Sequence, residues 1–235
     1  MRAYDAPSRF GFRSVVADEA SAFLSAVYGW MCAGLVITAA TASFVAGSPT
    51  IVHTIASNGV VFWSLAIFQL AIVFVLSARV QQLAASTAAL LFVLYSTLTG
   101  ATLSFVLLAY TGESVATTFL VAAGMFGGLA AYGTTTKRDL GGLGQFLFMG
   151  LLGVVLESIV GIFWHSDAFQ FVLTFVGVLV FSGLAVYDAQ RLKTMALQTS
   201  AGQSSSYAIV GALALYLDFT NLFLLLLRFT GSRRE

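Results

Sequence analysis

Seven apolar runs set the limits on this chain, at about 24–46, 57–78, 84–109, 115–133, 143–164, 168–189 and 207–229. A helix rises about 1.5 Å per residue, so about 20 apolar residues cross roughly 30 Å of hydrocarbon. Inside lipid every backbone N–H and C=O must be satisfied within the protein, which leaves helices or a closed barrel. No ten-residue alternation of the barrel type occurs, so the runs read as helices. The expected fold class is an all-α integral membrane protein with seven transmembrane helices. The breaks, among them RVQQLAAS, YTGES and TTTKRDLGG, are too short for an extramembrane domain.

Composition supports this reading. The chain is 59% hydrophobic and 9% charged, where a soluble domain is about 45–50% apolar and about 25% charged. A net charge of +1 gives no reason to expect a nucleic-acid partner. The expected organisation is an N-terminal arm over 1–22, a membrane domain over 23–230 and a short basic tail over 231–235. The arm, MRAYDAPSRFGFRSVVADEASAF, lacks the pattern of a cleaved signal peptide, and a short amphipathic helix is expected around 15–22. Cys32 is the single cysteine; it reads as a small buried packing residue, with no second thiol for a disulfide or a metal site.

Lys and Arg are placed asymmetrically. The arm carries Arg2, Arg9 and Arg13, and the even-numbered breaks carry Arg79, then Lys137 and Arg138, then Arg191 and Lys193. The first, third and fifth breaks have none. By the positive-inside rule the N-terminus is cytoplasmic. Seven crossings then put the C-terminal end outside, although it carries Arg228, Arg233 and Arg234. Either the last segment crosses against the bias or it enters and returns; seven crossings are the favoured reading. Small residues at Gly124, Gly128, Gly150 and Gly153 are read as points of close helix approach.

Few polar residues lie at membrane depth. Asp188 closes the sixth run, and Asp218 lies about eleven residues into the seventh, hence up to about 16 Å deep. Asn221 shares a face with Asp218. Arg79 ends the second run, Glu157 lies mid-way along the fifth, and Gln69, in the second, reads as a helix–helix hydrogen bond. His53 and His165 fall in outer breaks and read as solvated. A charge at bilayer depth costs roughly 2.5–3.5 kcal/mol on insertion scales. Asp218 has no cation nearby in sequence before Arg228 to offset that cost.

Two carboxylates on neighbouring helices can share a proton, bind a cation or do acid–base chemistry. In low dielectric they cannot both ionise freely and titrate as a unit. Oxygen ligands favour a hard ion such as Ca²⁺, so Asp188 and Asp218 are candidate cation ligands, with Glu157 and Asn221 as candidates for the path. Arg79 is the arginine available to compete with the cation.

The stretch YGTTTKRDLGGLGQFLFMGLLG, then VLVFSGLAVYDAQRLK and LYLDFTNLFLLLLR, resembles the Bax inhibitor family, the transmembrane Bax inhibitor motif proteins. The likeness extends upstream through LSARVQQLAASTAALLFVLYSTLTGATLSFVLLAYTGES and covers roughly 22–234. The resemblance implies three antiparallel helix pairs around a central seventh helix. It also implies a Ca²⁺ leak under pH control through aspartates at the positions of Asp188 and Asp218, with an arginine at the position of Arg79 pairing with the first in one state. Eukaryotic members are linked to suppression of cell death, and some bacterial members to modulation of a membrane-bound ATP-dependent protease. This chain departs from the pattern at Ala189 in D-A-Q, at Glu157, at Gly161 and in the longer LQTSAGQSSS break.

The expected function is therefore a pH-sensitive cation leak, with Asp188, Asp218 and Arg79 as sensor and gate, in an inner membrane if the source is bacterial. A stress-linked regulator of a membrane-bound ATP-dependent protease, without transport, is the alternative. An intramembrane aspartyl protease is more remote, because Leu215, Tyr216 and Leu217 precede Asp218 where that chemistry uses a G-x-G-D motif. No enzyme activity and no cofactor are expected, apart from Ca²⁺ as a permeant or bound ion. A retinal-type receptor is excluded, since no Lys lies in the seventh run to form a Schiff base.

Overall fold

The computed structural model describes residues 9–160, 167–198 and 204–234, with side chains over 18–156, 169–198 and 205–234. Arg2, Gly161 and His165, and the side chains of Arg9, Arg13 and Glu157, lie outside the described residues. All the named elements are helices: α1 (Arg9–Ala46), α2 (Pro49–Ser57), α3 (Gly59–Ala78), α4 (Ala85–Ala109), α5 (Gly112–Thr135), α6 (Gly141–Val160), α7 (Asp167–Ala196) and α8 (Ser204–Thr230). Among the described residues six are long and apolar enough to cross a membrane; at the fifth expected span, Gly141–Leu156 forms a shorter apolar helix. Large apolar side chains such as Leu70, Phe74, Phe146 and Met149 cover the outside of the bundle, as lipid contact requires.

Two local features differ from the sequence expectation. The helix expected around 15–22 is not a separate element: α1 runs unbroken from Arg9 through it into the first apolar run. The first break contains α2, which starts with Pro49 in its first turn, where a missing N–H costs no hydrogen bond. Asn58 then ends α2 and caps α3, its Oδ1 accepting from Val60 N at 3.1 Å and Val61 N at 3.4 Å. His53 is exposed on α2.

The most enclosed element is α8. Of its span window 61% is buried, against 39% at most elsewhere, and it packs against α1, α3, α4, α5 and α7. It runs parallel to α4. At one end the Ser206 hydroxyl donates to Leu83 O at 2.9 Å. At the other, Thr111 N donates to Ser232 O at 3.1 Å and Arg234 N to Ala109 O at 3.0 Å, forming a Tyr110–Arg233 bridge. The last helix therefore does not turn back. Arg228, Arg233 and Arg234 lie at the Tyr110 end, opposite the end that gathers Arg79, Lys137, Arg138, Arg191 and Lys193.

Close helix approach occurs at one of the expected glycines, Gly150, and otherwise at glycines that were not expected. A Cβ on Gly124, Gly128 or Gly153 would meet nothing within 4 Å, whereas one on Gly150 would sit 2.9 Å from Val180 Cγ2. The tight crossings are at Gly100, where a Cβ would lie 2.6 Å from Thr38 O, and at Gly133, where it would overlap Val186 O. These bring α4 onto α1 and α5 onto α7. Cys32, expected inside, is exposed, on the wall of a cavity between α1 and α5.

Candidate functional site

Asp188 and Asp218 meet inside the bundle. Asp218 is 5% exposed, Asp188 is half-buried, and their carboxyls are within side-chain hydrogen-bond reach. Two carboxyl groups bond in this way only when one carries a proton. No N–H or hydroxyl among the described residues reaches the buried Asp218 Oδ2. An acceptor left so costs desolvation energy, which a proton, a cation or a water would offset.

The pair forms part of the floor of a cavity of about 1170 Å³ between α3 and α6. Its polar lining includes Gln69, Tyr95, Gln145, Tyr187, Arg191 and Asn221, set among leucines and phenylalanines. Gln69 makes the expected interhelical bond, its Nε2 donating to Leu98 O at 3.3 Å. The guanidinium acting on Asp188 is that of Arg191, one turn along α7. Arg79 is exposed at the C-cap of α3 and is not among the cavity-lining residues. Asp188, Asp218 and Asn221 are thus brought together, and Arg79 stands apart from them in this arrangement. Glu157 lies on α6, its side chain outside the described residues.

Among the described residues no three His, Cys, Asp or Glu side chains cluster. A Ca²⁺ ion takes 6–8 oxygens, so two carboxylates could hold it only with water and carbonyls completing the shell.

The position of Asp188 depends on Gln190. Its Nε2 donates to Arg138 O at 2.7 Å and its Oε1 accepts from Leu140 N at 3.0 Å, while Lys193 Nζ donates to Thr134 O at 2.6 Å. The C-terminal part of α7 is thereby pinned to the α5–α6 turn. Sequence reasoning saw Gln190 only as part of a motif, and Arg191 only as a topological anchor. Gln190→Ala should cost about 1–3 kcal/mol, since it removes two bonds to backbone groups. Thermal unfolding in detergent checks this, and an unchanged midpoint would show that the turn holds α7 without it.

On α8, two residues before Asp218, the Tyr216 ring is fully buried. Its hydroxyl lies 2.6 Å from Thr38 Oγ1, and Thr38 spends its one hydroxyl hydrogen on Ser96 O at 2.9 Å. Tyr216 is therefore the donor to Thr38. Edge contacts with Phe92 and Tyr95, at 5.8 Å between ring centroids in each case, fix the ring. This arrangement sets the rotation of α8 and hence the direction in which Asp218 faces.

Residues 20–235 match the sequence profile of the family described as inhibitor of apoptosis-promoting Bax1. The chain belongs to the Bax inhibitor family. It is 49% identical over 215 residues to the inner membrane protein YbhL of Escherichia coli K12, covering 90% of this chain and 92% of that one. An uncharacterized protein of Borreliella burgdorferi is 41% identical over 91% and 93% of the two chains. An uncharacterized membrane protein of Streptococcus pyogenes serotype M1 is 37% identical over 77% and 79%. As a Bax inhibitor family member, this is a multi-pass membrane protein whose apolar helices face lipid.

Proposed function

We propose that this Bax inhibitor family protein is a pH-sensitive cation leak for Ca²⁺, with Asp188 and Asp218 as gate and transient ligand. The observation carrying the proposal is the contact between these two carboxyls on the floor of a membrane-depth cavity. When the pair shares a proton, the two helices are tied together. As pH rises and the proton leaves, two like charges repel, and a cation or an arginine must take its place. Arg191 is the nearest competitor, and Arg79 enters only in a rearranged state. The role is non-enzymatic: the pair holds a proton or an ion and cleaves no bond.

The topology that goes with this reading has seven crossings, α6 among them, and a cytoplasmic N-terminus. The basic end of the bundle then faces the cytoplasm, by the positive-inside rule. An inner-membrane location follows the name carried by the Escherichia coli relative.

The test is Ca²⁺ flux into liposomes containing only this protein, across roughly pH 6 to 8. Wild type should leak in a pH-dependent way, and Asp218→Asn should lose that dependence because a lone carboxyl shares no proton. An unchanged pH response in the variant would remove the pair from the gate. No flux above empty liposomes would instead favour a regulator of a membrane-bound ATP-dependent protease, to be pursued by co-purification.

A further inference from the structure

One face of α8 threads both halves of the bundle. Ala214, Leu217 and Asp218 line the large cavity. Leu224, Leu225 and Arg228 line a second one, of about 250 Å³, between α6, α7 and α8. Steps of three and four residues keep all of these positions on a single helix face. Asn221 lies between the two groups and belongs to both walls. The other residues common to both walls, Leu151, Val155 and Phe181, are apolar. Among the described residues, the two compartments thus share a boundary whose one polar side chain is an amide.

The orientation of that amide is fixed. Asn221 Nδ2 donates to Leu217 O at 2.8 Å, which assigns the nitrogen and leaves Oδ1 as the acceptor presented at that boundary. No hydrogen bond to Oδ1 forms among the described residues. A carbonyl oxygen in a narrow apolar passage replaces water around a cation and has nothing to offer an anion. Beyond the boundary, the Thr174 hydroxyl already donates to Gln170 O at 2.8 Å, so it too presents lone pairs. Arg228, exposed at the far end, sets a positive charge that holds back cations approaching from that side.

We propose that Asn221 is the selectivity-determining neck of the cation path, its Oδ1 ligating the ion between the aspartate pair and the second compartment. This rests on the leak reading above and adds the second half of the route. The pair sets when the path conducts, and Asn221 sets what passes.

The test compares Ca²⁺ and K⁺ flux through the purified full chain in liposomes, for wild type, Asn221→Leu and Asn221→Asp. Asn221→Leu should lower Ca²⁺ flux by about tenfold or more, equal to ~1.4 kcal/mol on the barrier. Asn221→Asp keeps an oxygen at the neck, so it should conduct, with the Ca²⁺-to-K⁺ ratio raised. Wild-type flux in Asn221→Leu overturns the assignment while leaving the leak intact. Equal loss in both variants also overturns it, because the amide would then matter only through its bond to Leu217. Absence of flux in wild type overturns the leak reading and this inference together.

Discussion

Asp218→Leu is expected to abolish pH-dependent flux and to make the protein more resistant to heat. A buried carboxyl whose Oδ2 meets no N–H or hydroxyl donor among the described residues is a standing cost to the bundle, roughly 2.5–3.5 kcal/mol at mid-membrane on insertion scales. The surroundings already suit a leucine: Leu184, Leu215 and Leu222 are buried in the same core, and the adjoining cavity has room for a larger side chain. Replacing a buried polar group by an apolar one of suitable shape is often neutral or stabilising. A gain of about 2 kcal/mol would raise the melting midpoint by roughly 4–8 °C in a chain of this size. Thermal unfolding in detergent, paired with the liposome assay, measures both effects. A lowered midpoint would mean that the carboxyl is a structural strut, and retained pH-dependent flux would mean that it is not the gate.

Gly133→Val should act in the opposite direction. A side chain there would overlap the Val186 carbonyl and lie 3.0 Å from Ala189 Cβ. Neither can rotate away, so α5 and α7 must separate. Overpacking of this kind costs typically 1–3 kcal/mol. Val186 and Ala189 flank Asp188 on α7, so separation also shifts the carboxylate from its partner. The variant should unfold at lower temperature and show a flattened pH response. Gly124→Val, placed where a Cβ meets nothing within 4 Å, is the control and should behave as wild type. Equal behaviour of the two variants would mean that the α5–α7 crossing does not position the site.

The contrast between Gly133 and Gly124 shows where sequence reading reaches its end. Four-residue spacing of small side chains marks a helix face on which close approach is possible, but not the face that another helix occupies. The apolar runs and Asp218 were legible because a charge within twenty apolar residues stands out whatever its partners. The approach of Asp188 to Asp218 followed from the family resemblance and from their placement on successive helices. Arg191 was hidden because the same residue type at the same helix end serves equally as a membrane anchor. Its rotation toward the cavity depends on Gln190 and the α5–α7 crossing, both long-range features. Arg79, named as the available arginine and again on resemblance, is not among the residues lining the cavity in this arrangement. The segment PTIVHTIAS reads as a connection because it is a short polar break between two apolar runs, yet its proline is an acceptable first helical residue. Cys32 was misjudged because a run that is apolar on every side does not reveal which side faces lipid.

The enclosure of α8 has a consequence for biogenesis. Every helix that surrounds it comes earlier in the chain, so the outer ring must enter the bilayer before the helix it encloses. Until α8 arrives, Thr38 and the floor of the large cavity face a gap filled by lipid or water. The helix carrying the intramembrane carboxylate is then the last to enter, when the helices that lower the cost of burying that charge are already in the bilayer. The strand-like pairing of Arg233 with Tyr110 closes the assembly from the far end. A reporter fused after residue 234 would therefore sense the completion of folding as well as the side of the membrane on which it lies.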